Sequence, residues 1–215
     1  MPPEVKKRDI LLQERAMKII VLASTSPYRM QLMRQLGLPF HVAAPQYNEQ
    51  ITQDIAPELL VKHHAAGKAR SLAEKYPDAL IVGSDQVFVD ASGRILGKPD
   101  NFEAAVRQLR GMAGKSHTFY TGLSVYDSNR DEVLTDFATY RVTLRPLTEE
   151  QIRAYLLREN PLDCAGSFKV EGLGIALMQK LEGDDYTTLI GLPLIKLVDF
   201  LAGFGVKVLD DKTIP

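Results

Sequence analysis

The 215-residue chain reads as an α/β protein on a mixed, elongated, twisted sheet flanked by helices. Three observations predict it. The apolar runs Ile19-Ile20-Val21-Leu22-Ala23 and Ala79-Leu80-Ile81-Val82-Gly83 have the length and continuity of buried strands. Segments with helical spacing, from Tyr28 to Leu36 and from Pro57 to Lys75, lie between them, and alternation of strands with helices is the α/β pattern. Residues 116–145 alternate polar and apolar around Asp127-Ser128-Asn129-Arg130, a turn signal. Two long antiparallel strands are expected there, which makes a purely parallel sheet unsuitable. The length allows one sizeable core or two small lobes, and two lobes around a central cleft are expected.

Each element has a local reason. The first strand ends at Ser24-Thr25-Ser26-Pro27, where Ser26 suits the N-cap and Pro27 the first helical position. Gly37 stops that helix. Phe40 to Ala44 reads as a second short strand. Pro57 to Lys75 offers Leu59, Leu60, Ala66, Ala69 and Leu72 for burial. The strand from Ala79 is expected to end at the polar triplet Ser84-Asp85-Gln86. A hairpin from Val87-Phe88-Val89 through Ala91-Ser92-Gly93 to Ile95-Leu96 would follow. Asn101 caps a helix from Phe102 to Arg110 with Ala105, Val106 and Leu109 inward, and Thr148 with Gln151 makes a capping box for a helix to Arg158. Leu173 to Leu177 reads as a strand and Leu192 to Leu201 as the final helix. Residues 1–16 read as an N-terminal extension, 17–205 as one domain and 206–215 as a C-terminal tail.

Composition narrows the function. With 26 Lys and Arg against 27 Asp and Glu, the net charge of −1 argues against stable nucleic-acid binding. A small anionic ligand needs only a local cluster of cations. Cys164 is the sole cysteine, so neither an intramolecular disulfide nor a Cys-based metal site can form. No apolar run approaches the ~20 residues of a membrane span. Residues 1–16 hold only Ile10-Leu11-Leu12 as an apolar patch, too short for a secretion signal. The expected setting is the cytoplasm, away from membranes.

Chemistry is sought first where a strand meets a helix. Unpaired N–H groups and the positive end of the helix dipole at Ser26, the hydroxyls of Ser24 and Thr25, and Arg29 in the first turn could cradle a phosphate. The segment alone favours the plainer reading of an ordinary capped helix with a surface Arg, since capped helices after strands are common. Asp85, at an expected strand end, suits metal binding or proton acceptance, and equally a turn cap. Lys98 sits in the turn Gly97-Lys98-Pro99 and Lys68 on the polar side of the long helix. Lys169 and Glu171 lie in the Gly-punctuated loop from Gly166 to Gly172. His63-His64 reads as a solvated helix face, because adjacent residues point about 100° apart. No Gly-rich P-loop and no Gly-x-Ser-x-Gly elbow is present.

Six blocks then carry a resemblance: Leu22-Ala23-Ser24-Thr25-Ser26-Pro27-Tyr28-Arg29, Ile81-Val82-Gly83-Ser84-Asp85-Gln86, Gly97-Lys98-Pro99, Tyr120-Thr121-Gly122, the segment from Ala165 to Gly172, and Gly191-Leu192-Pro193. In this order, over about Lys18 to Leu201, they resemble the Maf family of nucleoside triphosphate pyrophosphatases. The resemblance implies a Maf/inosine-triphosphatase-like fold and hydrolysis of the α–β phosphoanhydride, with Mg²⁺ or Mn²⁺ as cofactor. It matches Asp85 to the family's proton acceptor, with Asp85 and Glu49 toward the metal. Ser24, Ser26, Arg29, Lys68, Lys98 and Lys169 would face the substrate. Tyr28, Gln86 and Glu171 match positions tied to substrate choice, and they resemble the branch acting on 7-methylguanosine triphosphate. Guanine chemistry agrees: N1–H and the 2-amino group are neighbouring donors for a carboxylate, and a base made cationic by N7 methylation is attracted to a Tyr face. One departure is that Gln46 and Asn48 stand where the family usually has acidic residues, which leaves Glu49 alone. Other readings are a pyrophosphatase for thymidine and uridine triphosphates, and a nucleotide-binding regulator of cell division with little catalysis. A homodimer is expected by resemblance only.

Overall fold

The computed structural model describes residues 18–49 and 55–209. The expected N-terminal extension therefore lies outside the described residues, as do 210–215 of the expected tail. Strand β1 (Ile19–Ala23) leads through Ser26 to helix α1 (Pro27–Gln35) and strand β2 (His41–Ala43). Helix α2 (Pro57–Arg70), strand β3 (Ala79–Val89), strand β4 (Ile95–Leu96) and helix α3 (Phe102–Met112) follow. The long strands β5 (Ser116–Asp127) and β6 (Glu132–Leu144) precede helix α4 (Glu149–Glu159), strand β7 (Met178–Glu182), and helices α5 (Thr187–Ile190) and α6 (Leu194–Gly203).

The sheet has the order β2-β1-β3-β5-β6-β7, with β4 paired to the far end of β3. β1 runs parallel to both β2 and β3, whereas β5 is antiparallel to β3 and to β6. The sheet is thus mixed, as the alternation in 116–145 predicts. Three apolar cores lie along it. Ile20, Leu22, Leu80 and Val82 face α1 and α6; Val21, Ile81 and Ala69 lie on the other face; Phe88, Phe119, Val142 and Leu156 fill the distal end beneath α3 and α4. Period-2 alternation along β1 and β3 sends successive residues to opposite cores, which is why both strands read as continuous apolar runs.

Two glycines let α2 lie directly on the sheet. A Cβ on Gly83 would come within 2.2 Å of the Ala65 carbonyl oxygen, and one on Gly122 within 2.1 Å of that of Val61. Any side chain there would lift the helix off the strands.

Four expectations change. The segment from Ala79 does not stop at Ser84: β3 runs on to Val89, because Leu80 to Val89 pair without a break against Thr118 to Asp127. Asp85 therefore sits in mid-strand, not at a strand end. Helix α2 ends at Arg70 and continues only as turns, and its Leu59 stays 54% exposed. Leu173–Leu177 is a 3₁₀ segment, and the strand begins one residue later at Met178. His64 is buried, not solvated: Tyr47 from the segment before α2 covers it, and the Tyr47 hydroxyl lies 3.0 Å from His64 Nδ1. His63 does face solvent. No helix among the described residues is long and apolar enough to cross a membrane.

Candidate active site

The polar triplet in β3 organises the site because its side chains alternate between the two faces of the sheet. Asp85 points to the α2 face. Its Oδ1 accepts from Lys68 Nζ at 2.7 Å, and the same nitrogen lies 2.6 Å from Glu49 Oε1. Lys68 and Asp85 are both 6% exposed. An isolated buried ammonium is costly, so its burial requires the paired carboxylates. The expectation of a Lys on the polar side of α2 is thereby corrected: Lys68 is enclosed between the helix and the sheet.

Glu49 is placed by a clasp along α2. Residues 64, 68 and 71 share one helix face. They meet Tyr47, Glu49 and Gln46 in turn, the last through a bond from the Gln46 amide to Ser71 Oγ at 3.0 Å. Burial pushes the Glu49 carboxyl up, but the hydrogen bond and charge of Lys68, aided by His64 and Arg29, outweigh it and hold the group below its ordinary value.

Ser84 and Gln86 point to the opposite face. Ser84 Oγ donates to the carbonyls of Gly122 and Gly191 at 2.9 and 2.8 Å. Gln86 Nε2 donates to Thr121 Oγ1 and the Thr188 carbonyl, both at 2.8 Å, and reaches the Leu189 carbonyl at 3.3 Å. Those acceptors fix the amide orientation: both N–H groups are consumed and Oε1 remains as an acceptor. Thr121 in turn donates to the Thr188 carbonyl at 2.9 Å.

β1 leaves β3 at the pair Ala23 and Gly83. Just beyond, Arg29 donates from Nη1 to the Ser84 carbonyl at 2.9 Å and from Nε to the Gly191 carbonyl at 2.8 Å. Burial lowers the Arg29 pKa, partly offset by the charges of Asp85 and Glu49. Ser26 caps α1 by accepting from the Arg29 amide at 3.4 Å, while Ser24 Oγ accepts from the Ser26 amide at 3.1 Å. Ser24 is buried and serves this turn.

A cavity of about 310 Å³ opens on the Gln86 side and brings Ser26, Tyr28, Arg29, Gln86, Lys98, Lys169 and Glu171 together. Asp85, Glu49 and Lys68 do not line it; they form the acid–base cluster across the strand. Lys169 Nζ is paired with Asp163 at 2.9 Å. Gln108 on α3 joins two walls, accepting from Ser167 Oγ at 2.5 Å and donating to the Gly97 carbonyl at 3.2 Å, next to Lys98. Sequence reasoning did not single out Tyr47, Gln108, Thr121 or Phe119, which lines the cavity from the distal core. Thr121 lies inside a matching block, but its use appears only when β5 is paired with β3.

The arrangement, a cavity bordered by a helix N-terminus and by Arg29, Lys98 and Lys169, with a separate carboxylate cluster across the strand, suits a nucleotide. The chain belongs to the Maf-like protein family, whose model matches residues 19–204. A 7-methyl-GTP pyrophosphatase of Syntrophotalea carbinolica is 88% identical over 196 residues, 91% of this chain and 100% of that protein. Proteins of the same name from Colwellia psychrerythraea and Pseudomonas aeruginosa are 50% and 48% identical, covering 92% and 88% of this chain and 98% of each relative.

Proposed function

We propose that this chain is a nucleoside triphosphate pyrophosphatase that converts 7-methyl-GTP to 7-methyl-GMP and pyrophosphate in the cytoplasm. One observation carries the reading most: Asp85 and Gln86 are consecutive on β3, so a carboxylate for the chemistry and an acceptor for the base are held by one strand on its two faces. Membership of the Maf-like family and the names of the relatives support it.

The base is read by acceptors. Gln86 offers Oε1 alone, and the Glu171 carboxylate carries no partner among the described residues. Both suit the N1–H and 2-amino donors of guanine and repel the carbonyl oxygens of uracil or thymine. Tyr28, 36% exposed on the cavity wall, presents an aromatic face to a cationic methylated base. The α1 N-terminus, Arg29 and Lys98 meet the phosphates. Asp85 Oδ2 accepts no hydrogen bond from the described residues and is free to take a proton from the attacking water, while Lys68 holds Oδ1 in place. Water oxygen joins phosphorus, the α–β bridging bond breaks, and pyrophosphate carries away the electron pair.

Glu49 and Asp85 also suit a divalent cation. They are hard oxygen donors drawn to one point, the Lys68 nitrogen, and Mg²⁺ commonly takes one or two carboxylates together with substrate phosphates. Among the described residues no group of three or more His, Cys, Asp or Glu assembles, so the remaining ligands would come from substrate and water. Such a cation would neutralise charge on the phosphates and the leaving group. Gln46 and Asn48, in place of acidic residues, keep the set at two.

The test is pyrophosphate release from 7-methyl-GTP, GTP, UTP and dTTP with Mg²⁺ or Mn²⁺. Preference for 7-methyl-GTP is expected. Preference for UTP or dTTP, or tight binding without release, would overturn the assignment.

A further inference from the structure

Among the described residues the Glu171 carboxylate has no hydrogen bond or ion pair, so the backbone beneath it is the part of its placement that the fold controls. That backbone is tied to α4 at two places. The Tyr155 hydroxyl accepts from the Lys169 amide at 3.0 Å, and Glu159 Oε2 accepts from the Leu173 amide at 2.7 Å. Lys169 and Leu173 each stand two residues from Glu171. Tyr155 and Glu159 stand four apart on α4 and so share one face of it.

We propose that Tyr155 and Glu159 are specificity-positioning residues: they bracket Glu171 from α4 and set the position at which its carboxylate meets the base. The inference rests on the reading of Glu171 as a base acceptor.

Three further observations fit the bracket. Glycine at 172 leaves room for Glu159 to reach the loop; a Cβ there would lie 2.5 Å from Glu159 Oε1. The segment closes on itself, since a Cβ on Gly174 would meet the Lys169 carbonyl oxygen at 2.1 Å. Both anchors come from a firm element. α4 starts with a complete capping box at Thr148 and Gln151, ends at Asn160 with φ 49°, and buries Ile152, Tyr155 and Leu156 in the distal core. Burial raises the Tyr155 phenol well above its ordinary value, so it remains a neutral hydroxyl throughout the working range. Neither residue lines the cavity; each acts through the loop.

Tyr155→Phe removes one acceptor, Glu159→Ala removes the other, and Glu159→Gln keeps an oxygen at the same place. Steady-state rates on 7-methyl-GTP and UTP would be measured for the full chain and the three variants, beside thermal unfolding and amide exchange of residues 169–173. Loss of one hydrogen bond that aligns a recognition group is worth up to about tenfold in affinity. Expected are a KM for 7-methyl-GTP raised about tenfold in Tyr155→Phe and Glu159→Ala, kcat within about twofold, unchanged kcat/KM for UTP, and faster exchange confined to the loop. Glu159→Gln should retain most of the preference. Equal losses on both nucleotides, a loss confined to kcat, or an unaltered preference with faster loop exchange would each overturn the positioning role. A wild-type chain that treats the two nucleotides alike would instead overturn the functional reading.

Discussion

Replacing Lys68 by Met tests how the acid–base cluster is held. Met keeps the aliphatic stem and removes the ammonium. On the Asp85 side both partners are buried, at 8% and 9% side-chain exposure, so the variant leaves an uncompensated carboxylate against the sheet. Breaking such a pair costs about 3 kcal/mol. On the Glu49 side the carboxylate is 48% exposed, and solvent screening limits that arm to roughly 0.5 kcal/mol. For a chain of this size each kcal/mol lowers Tm by about 2–4 °C, so a drop of roughly 10 °C is expected by circular dichroism. The decisive assay is a double-mutant cycle. Asp85→Asn in the Lys68→Met background removes the orphaned charge and should restore about 2 kcal/mol. Additive effects, or a Lys68→Met variant melting with the wild type, would refute the argument that the ammonium is buried by virtue of its carboxylates.

Asp85→Asn alone should reduce kcat by about 10²–10⁴-fold with the fold intact but a lower Tm, because the buried Lys68 ammonium keeps only the half-exposed Glu49 as a partner; normal turnover would remove Asp85 from the chemistry. Glu171→Ala should raise KM for 7-methyl-GTP and GTP far more than for UTP, and equal losses across bases would contradict base reading. Gly122→Ala should destabilise by about 1–3 kcal/mol in urea unfolding, since its Cβ would strike the Val61 carbonyl; a neutral effect would mean that α2 does not sit tightly on β5. Glu49 and Asp127 should be among the carboxylates that carry the loss of stability in acid. Burial pushes both up, yet Lys68 and Lys18 respectively outweigh it and hold them below the ordinary value. Their stabilisation is complete above the unfolded carboxylate pKa of about 4 and is lost as pH falls through the lower folded values. Unfolding free energy measured from pH 6 to pH 2.5 should therefore fall below about pH 4, less steeply in Asp127→Asn; a flat profile would refute the linkage.

Much of the fold was legible because its signals are local. Ser26 with Pro27, Asn101, and Thr148 with Gln151 each mark a helix start by side chains that bond within three residues. The strands β5 and β6 follow from period-2 alternation and a turn. What failed to show depended on partners distant in sequence. β3 crosses its polar triplet because β5, distant in sequence, supplies an unbroken ladder, with Asp85 opposite Gly122. His64 and Lys68 look like solvated helix residues until Tyr47 and Glu49 are laid over them. Leu173 to Leu177 is apolar enough for a strand, yet its backbone runs through 3₁₀ turns, and its first amide bonds to Glu159 of α4 instead of to a strand. For the site, residues in the matching blocks could be named from sequence. The side of the sheet each one serves could not, because alternation assigns faces only once the strand is known to continue.

That continuity has an evolutionary consequence. Because the side chains of 85 and 86 lie on opposite faces of the sheet, the roles proposed for them can vary separately: a mutation at 86 would alter the proposed base contact without moving the acid beside it. The shared backbone still keeps the two jobs in step. On the proposed roles, a lineage could change its diet one face at a time, whereas inserting or deleting a single residue between Ala79 and Asp85 would send the proposed proton acceptor to the wrong side of the sheet.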